Sequence, residues 1–209
     1  MYTPKGFHFE NESEKIAFMK TYSFATIITN KKGLPLATQL PFVIRESEQR
    51  LVLSSHFALA NEQASFIEHE VSLVIFSEPH AYISPGLYEK ELNVPTWNYV
   101  AVHAYGDARL ITDEQGTFDV LEETINNYEA GYKAQWDSLP VEYKLKLSRG
   151  IVAFEITVTG LQAKKKLSQN KTENEQKNII DSLSSSQYKN ERDIAAYMAQ
   201  HLSSDQSRS

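Results

Sequence analysis

The region from His80 to Gly106 is the part of the sequence best suited to a chemical or binding role. This stretch combines aromatic rings, histidines, prolines and hydroxyls, a mixture that core strands rarely need. A site that stacks a flat ring and hydrogen-bonds its edges does need it. Trp97 and Tyr99 are two residues apart, as are His80 and Tyr82, so on a strand each pair shares one face. The alternative interpretation is a buried aromatic stripe of the core.

A second cluster joins the end of a strand to the start of a predicted helix. It contains Ser54, Ser55 and His56, followed by Asn61 and Gln63. Hydroxyl groups beside a helix N-terminus form a natural site for an anion. A capped helix without any ligand would explain Asn61 and Ser55, but it would not require His56 or Gln63.

Two further clusters are polar. Thr38 and Gln39 precede Leu40-Pro41-Phe42, which indicates either an edge strand meeting a turn or a hydroxyl and an amide that face a ligand. The run from Lys164 to Asn170 indicates either a solvated surface or a phosphate contact, for which Lys166 and Ser168 are suited.

Other chemistries find little support in the sequence. It has no glycine-rich phosphate loop, no HExxH zinc motif and no GxSxG nucleophile elbow, and its histidines lack metal-ligand spacing. No residue stands out as a general acid or base. We therefore predict neither a catalytic residue nor a metal site.

Composition limits the class of protein. The 209 residues suit one domain, and the net charge of -6 argues against non-specific nucleic-acid binding. Cysteine is absent, which excludes disulfides and thiolate sites. No apolar run approaches the length of a membrane span, and the N-terminus has no apolar core of a signal peptide. A cytoplasmic protein is the simplest expectation.

Residue patterns predict the order of elements. Helices are expected over 13–22, 61–69 and 113–132, with two more after residue 161, and strands over 24–29, 36–44, 51–55, 71–76, 108–112 and 151–159. Turns are expected over 30–33 and 45–50, and Pro41 is expected at a sheet edge or bulge. This order favours an α+β fold, mainly β, around a barrel. We expect a main domain over 1–160, an extension of the same domain over 161–202, and a disordered tail over 203–209.

Taken in order, these clusters resemble the PaiB family, described as FMN-binding negative transcriptional regulators of the flavin-binding split-barrel superfamily. The resemblance covers nearly the whole chain. It is carried by Leu40-Pro-Phe42, His56 with Ala60-Asn61 and Gln63, His80-Ala-Tyr-Ile-Ser-Pro85, Val94-Pro-Thr-Trp-Asn-Tyr99, Tyr105-Gly106, Gly150-Ile-Val and Lys166-Leu-Ser-Gln-Asn170.

The resemblance implies an FMN-binding split β-barrel with flanking helices and a helical C-terminus. It also implies a homodimer whose flavin pockets lie between subunits, and negative regulation of sporulation and protease genes. The cofactor-binding residues that it indicates are Thr38, Gln39, Ser54, Ser55, His56, Asn61, Gln63, Trp97, Tyr99, Lys166, Ser168 and Gln169.

The sequence departs from the family pattern at three positions. Leu59 stands where the family often has an arginine, Glu62 where it often has a proline, and Gln39 where histidine is frequent. An arginine fork is a strong phosphate partner, so these changes weaken the expectation of bound FMN. Three alternatives stay open: a flavin-dependent oxidoreductase, a haem- or pyridoxal-phosphate-related split-barrel protein, and a regulator that contacts DNA or a protein partner.

Overall fold

The computed structural model describes residues 1–47 and 50–206. They form two compact units, each assembled from separate segments. The first unit contains Met1–Lys15, Ser77–Val102 and the described part of Gln162–Ser209, and the second contains the described parts of Ile16–Phe76 and His103–Leu161. The division expected from the sequence, a main domain over 1–160 with an extension of the same domain over 161–202, stays a prediction.

The described residues contain strands and helices in mixed order. The strands are β1 (Phe24–Lys31), β2 (Leu34–Pro41), β3 (Val43–Ser47), β4 (Arg50–Ala58), β5 (Val71–Phe76), β6 (His80–Ile83), β7 (Thr96–Ile111) and β8 (Ile151–Lys166). The helices are α1 (Glu12–Thr21), α2 (Glu114–Glu129), α3 (Lys133–Ser138), α4 (Val141–Ser148), α5 (Glu173–Ser184) and α6 (Lys189–Gln206). Because β7, β8 and α1 cross a boundary, each contributes residues to both units.

The second unit is built on a sheet with the strand order β2-β1-β5-β7-β8-β4-β3. Strand β1 pairs antiparallel with β2 and β5, and β4 pairs antiparallel with β3 and β8. The β1–β2 hairpin turns at Lys32 and Gly33, whose φ angles of 53° and 86° are typical of a type I′ turn. The turn predicted over residues 30–33 is therefore confirmed.

The core of this unit is a group of phenylalanine rings. Phe42 lies edge-on to Phe76 and to Phe154, with ring centroids 6.1 and 6.3 Å apart. Phe154 also stacks on Phe57 at 4.6 Å. These rings come from β4, β5, β8 and the junction of β2 with β3, so one aromatic cluster fixes strands that are distant in sequence.

Hydrogen bonds stabilise helix α2 at both ends. The Asp113 carboxylate accepts a hydrogen bond from Gly116 N at 2.7 Å, which caps the helix N-terminus. Near the other end, the Tyr128 hydroxyl lies 2.6 Å from Ser23 Oγ and donates to the Phe42 carbonyl at 3.1 Å. The helix predicted over 113–132 is confirmed as α2 followed by a short 3₁₀ turn, Ala130–Tyr132.

Several predicted elements are corrected. The single strand expected over 36–44 is wrong, because edge strand β2 ends at Pro41 and the buried Phe42 donates its N–H to the Ser23 carbonyl before β3 begins. The edge position expected for Pro41 is confirmed. The helix expected over 61–69 is instead two 3₁₀ turns, and the turn expected over 45–50 is partly strand, with residues 48–49 outside the described ranges. Strand β8 continues past Thr159, and helices α3 and α4 were not predicted.

The first unit pairs β6 with the start of β7 and contains α5 and α6. The two late helices are confirmed, and Ile179, Ile194 and Met198, which helped to predict them, are fully inaccessible. Helix α6 ends at Gln206, so it includes part of the stretch expected to be a tail, and residues 207–209 lie outside the described ranges. Among the described helices, none is both long and apolar enough to cross a membrane.

Candidate functional site

The residues predicted to bind a cofactor fall into two groups, one in each unit. Trp97, Tyr99, Lys166, Ser168 and Gln169 belong to the first unit. The others belong to the second unit: Thr38, Gln39, Ser54, Ser55, His56, Asn61 and Gln63.

The first unit carries a face of four rings on β6 and β7. In the strand register His80 opposes Tyr99 and Tyr82 opposes Trp97. Because side chains alternate along strands, these four residues share one face, while Asn98 points to the other and is fully buried. Tyr82 and Trp97 are 48% and 52% exposed, and their ring centroids lie 5.8 Å apart. We call His80, Tyr82, Trp97 and Tyr99 the aromatic face. The shared orientation within each pair was predicted, whereas the alignment of the two pairs follows from the pairing of β6 with β7.

Two lysines of β8 adjoin the aromatic face. Lys166 Nζ donates to the Trp97 carbonyl at 2.9 Å and also to Thr96 Oγ1. Lys164 Nζ lies 5.2 Å from the centroid of the Tyr99 ring. Within the described ranges, neither lysine forms an ion pair with a carboxylate. Burial, together with the charge of Lys164, lowers the pKa of Lys166. The pair therefore lacks a neutralising partner, which suits an anionic group.

The lysine run is not a solvated surface. Lys164 is 8% exposed, and its Nζ is 3.5 Å from the Tyr2 carbonyl. Lys165 forms an ion pair with Glu14 and lies 3.9 Å from the centroid of the Phe9 ring. These lysines are thus built into the first unit and do not project as a basic patch for nucleic acid.

Ser168 and Gln169 shape the turn that follows β8. The Ser168 hydroxyl is 3% exposed and exchanges hydrogen bonds with the Asn98 amide at 2.9 and 3.1 Å. Ser168 has a φ of 61°, and the Gln169 side chain donates to the Lys165 carbonyl and accepts from Leu167 N, both at 2.7 Å. The hydrogen-bonding groups of both side chains are engaged within the turn and with β7.

In the second unit, Gln63 lies at the centre of a buried network. Its amide nitrogen donates to Thr29 Oγ1 at 2.8 Å and to the Leu36 carbonyl at 3.3 Å, and its amide oxygen accepts from the Thr38 hydroxyl. The Asn61 amide donates to Thr38 Oγ1 at 3.0 Å, and its oxygen caps Gln63 N at 3.0 Å. We call Thr29, Thr38, Asn61 and Gln63 the Gln63 network. It joins β1, β2 and the 3₁₀ turn, and it confirms Asn61 as a cap.

The hydroxyls of β4 point to opposite faces. Ser55 is buried and donates to the Pro41 carbonyl at 2.7 Å, whereas Ser54 accepts from Arg45 at 3.0 Å on the other face. His56 shares the face of Ser54, and burial lowers its pKa. Strand alternation therefore prevents Ser54, Ser55 and His56 from lining one surface. Gln39 is exposed on β2.

An ion-pair cluster around Arg45 was not foreseen from the sequence. Arg45 pairs with Glu123 of α2 at 2.6 Å and with Glu155 of β8, which also binds Arg109 at 3.2 Å. Burial raises the pKa of Glu123, and the Arg45 charge partly offsets this effect. The paired residues lie 78 and 110 positions apart, so no local pattern could have indicated them.

The departures from the family pattern have specific surroundings. Leu59 follows β4 and is 61% exposed. Glu62 forms an ion pair with Lys31 at 2.6 Å. The negative charge of Glu62 is thus compensated locally. Within the described residues, no group of three histidine or acidic side chains is arranged to hold a metal ion.

The chain belongs to the family described as "Putative FMN-binding domain", whose model matches residues 1–160. It is 37% identical over 205 residues to "Protease synthase and sporulation protein PAI 2" of Bacillus subtilis (strain 168), covering 97% of this chain and 98% of the relative. An uncharacterized protein of Emericella nidulans is 29% identical over 183 residues, which cover 69% of this chain and 73% of that relative. The resemblance to the PaiB family is confirmed.

Solved structures of low sequence identity share the fold. The flavocytochrome Anf3 of Azotobacter vinelandii superposes with a TM-score of 0.60 at 19% identity, covering 74% of this chain and 67% of that one. The FAD and haem binding protein of Mycobacterium smegmatis superposes with a TM-score of 0.58 at 13% identity, covering 76% of this chain and 73% of that one. These similarities confirm the predicted α+β split β-barrel with flanking helices and a helical C-terminus.

Proposed function

We propose that this chain binds a flavin, FMN in particular, through the aromatic face and the adjoining lysines. The observation that carries the proposal is the position of Lys166, which is fixed on the backbone of Trp97 and has no carboxylate partner among the described residues. Exposed rings beside an uncompensated cation suit a ligand that combines a flat ring system with an anionic group. Membership of an FMN-binding domain family supports the same ligand.

The residues fit the two parts of FMN differently. Rings of the aromatic face would stack on the isoalloxazine, and Lys164 and Lys166 would bind the phosphate. Because Ser168, Gln63 and Ser55 already use their polar groups inside the protein, we assign them structural roles. Bound flavin supplies hydride and one-electron chemistry itself, which agrees with the absence of an evident general acid or base.

Fluorescence titrations with FMN and riboflavin test the proposal, since the two ligands differ only in the phosphate. Trp97→Ala should weaken the affinity for both ligands by about 2- to 13-fold, because it removes an aromatic contact worth about 0.5–1.5 kcal/mol. Lys166→Ala should weaken the affinity for FMN by about tenfold and leave the affinity for riboflavin unchanged.

Two exposed residues of the same unit serve as matched controls for these variants. Tyr188→Ala and Lys177→Ala should change neither affinity. Equal loss of FMN and riboflavin in Lys166→Ala would refute the assigned phosphate contact. An absorbance spectrum of the purified protein, showing flavin or haem bands, separates this proposal from the haem alternative.

We further propose that the protein is a cytoplasmic homodimer and a negative regulator of sporulation and protease genes. The name of the Bacillus subtilis relative mentions protease synthesis and sporulation, and it supports a role in these two processes. Since the lysine run is embedded in the first unit, we infer that regulation proceeds through a protein partner or metabolite rather than through DNA contact by that run.

Three measurements test the regulatory proposal. A protease-promoter reporter should rise when the gene is deleted and return to its original level on complementation. A gel shift at low salt should show no sequence-preferring complex with promoter DNA. Light scattering after size-exclusion chromatography should give twice the 23.8 kDa chain mass. A specific gel shift would overturn the indirect mode, and an unchanged reporter would overturn the regulatory role.

A further inference from the structure

A cavity of about 680 Å³ in the first unit is distinct from the aromatic face. Its volume lies in the range of sites that bind small organic ligands. The N-terminal segment forms one side, and α6 contributes Tyr197, Gln200 and His201. Lys165 and Gln169 at the end of β8 complete it.

The charges that line this cavity balance. Lys5 and Lys165 contribute two positive charges, and Glu10 and Glu14 contribute two negative charges. Lys165 and Glu14 neutralise each other in an ion pair. Lys5 and Glu10 are exposed and form no ion pair among the described residues. One positive and one negative group are thus left to face a ligand.

The rest of the lining offers rings and hydrogen-bonding groups. The His8 ring nitrogen Nε2 lies 3.1 Å from the Thr3 carbonyl, which can only accept, so Nε2 donates. In the neutral ring this leaves Nδ1 as an acceptor, and His8 is one of the residues that line the cavity. Tyr197 and His201 lie one turn apart on α6, and the buried Phe9 ring forms an apolar part of the wall.

We propose that this cavity binds a short zwitterionic peptide, with the carboxylate terminus at Lys5 and the amino terminus at Glu10. The volume exceeds what a single amino acid fills, and the Gln200 amide and the His8 ring can form hydrogen bonds with peptide N–H and C=O groups. FMN is a poor match, because its phosphate adds negative charge to a lining whose net charge is zero. The site is therefore independent of the proposed flavin site.

Isothermal titration with trialanine and its capped forms tests this assignment. Trialanine should bind saturably, and acetylation of its amine or amidation of its carboxylate should each weaken binding by about fivefold or more. Lys5→Gln should abolish the penalty for amidation and keep the penalty for acetylation. Glu10→Gln should show the reverse pattern.

Control variants keep the proposal falsifiable. Gly6 lines the cavity and an added Cβ would meet no atom within 4 Å, so Gly6→Trp should fill the space and abolish peptide binding without unfolding the protein. Lys177→Gln, at an exposed lysine outside the cavity, should leave binding unchanged. FMN affinity should be the same in all these variants, which separates this inference from the flavin proposal. Absence of saturable trialanine binding, or equal binding of all capped forms, would overturn it.

Discussion

Replacement of Gln63 by alanine should destabilise the protein without directly removing a ligand contact. The Gln63 side chain makes three hydrogen bonds, to Thr29, Leu36 and Thr38, and it is 1% exposed. Each such bond contributes about 0.5–1.5 kcal/mol net, so the expected loss in free energy of unfolding is about 2–4 kcal/mol. The buried Thr29 hydroxyl and the Leu36 carbonyl would also lose their partner.

Urea denaturation followed by fluorescence measures this loss. The midpoint should fall by about 1–2 M with an unchanged slope, since the surface exposed on unfolding stays similar. Gln39→Ala is the matched control, because Gln39 lies exposed on neighbouring β2 and should shift the free energy by no more than about 0.5 kcal/mol.

The stability and the flavin affinity of Gln63→Ala together distinguish a structural role of Gln63 from a role in ligand binding. If Gln63→Ala kept wild-type stability and lost flavin affinity, the assignment to an internal network would be refuted. Gln63→Glu adds a second test, because it keeps the shape of the side chain but removes the donor to the Leu36 carbonyl. The Gln63→Glu variant should therefore have a lower free energy of unfolding than the wild-type protein at neutral pH.

Three further outcomes are expected. Gly106→Ala should lower the free energy of unfolding by about 1–3 kcal/mol, because the new Cβ would clash with the Thr157 carbonyl oxygen; Gly160→Ala, with no atom within 4 Å, should leave it unchanged in the same denaturation assay. Ser72→Ala should raise the melting temperature, since the buried Ser72 hydroxyl has no hydrogen-bond partner among the described residues and its removal is worth up to about 1 kcal/mol. FMN affinity should fall as pH rises through the lowered pKa of Lys166, because only the protonated amine binds phosphate, whereas riboflavin titrated over the same pH range should show no such fall.

Local sequence patterns predicted much of the fold. The β-branched run of β5 was located with the same bounds as the structure, 71–76. The turn at Lys32 and Gly33 and the cap at Asn61 follow from short-range chemistry, which a few neighbouring residues decide. The two halves of the aromatic face were also predictable, since the period of two along a strand places Trp97 with Tyr99 and His80 with Tyr82.

The sequence-based predictions that were wrong share one physical cause, which is contact between segments far apart in the chain. The break between β2 and β3 depends on Phe42, which enters an aromatic core formed by Phe76 and Phe154 from distant strands. The opposite orientations of Ser54 and Ser55 follow from the strand itself, but the partners that occupy each hydroxyl come from Arg45 and Pro41. A polar residue in a sequence therefore does not reveal whether its hydrogen bonds are already used.

Local patterns in the sequence locate most strands and the late helices, and they place Trp97 with Tyr99 and His80 with Tyr82. The internal hydrogen bonds of Gln63 and Ser168, and the lack of a carboxylate partner for Lys164 and Lys166 within the described ranges, follow from the tertiary fold. The reason is that alternation and capping act over a few residues, whereas burial and charge pairing depend on contacts between segments far apart in the chain.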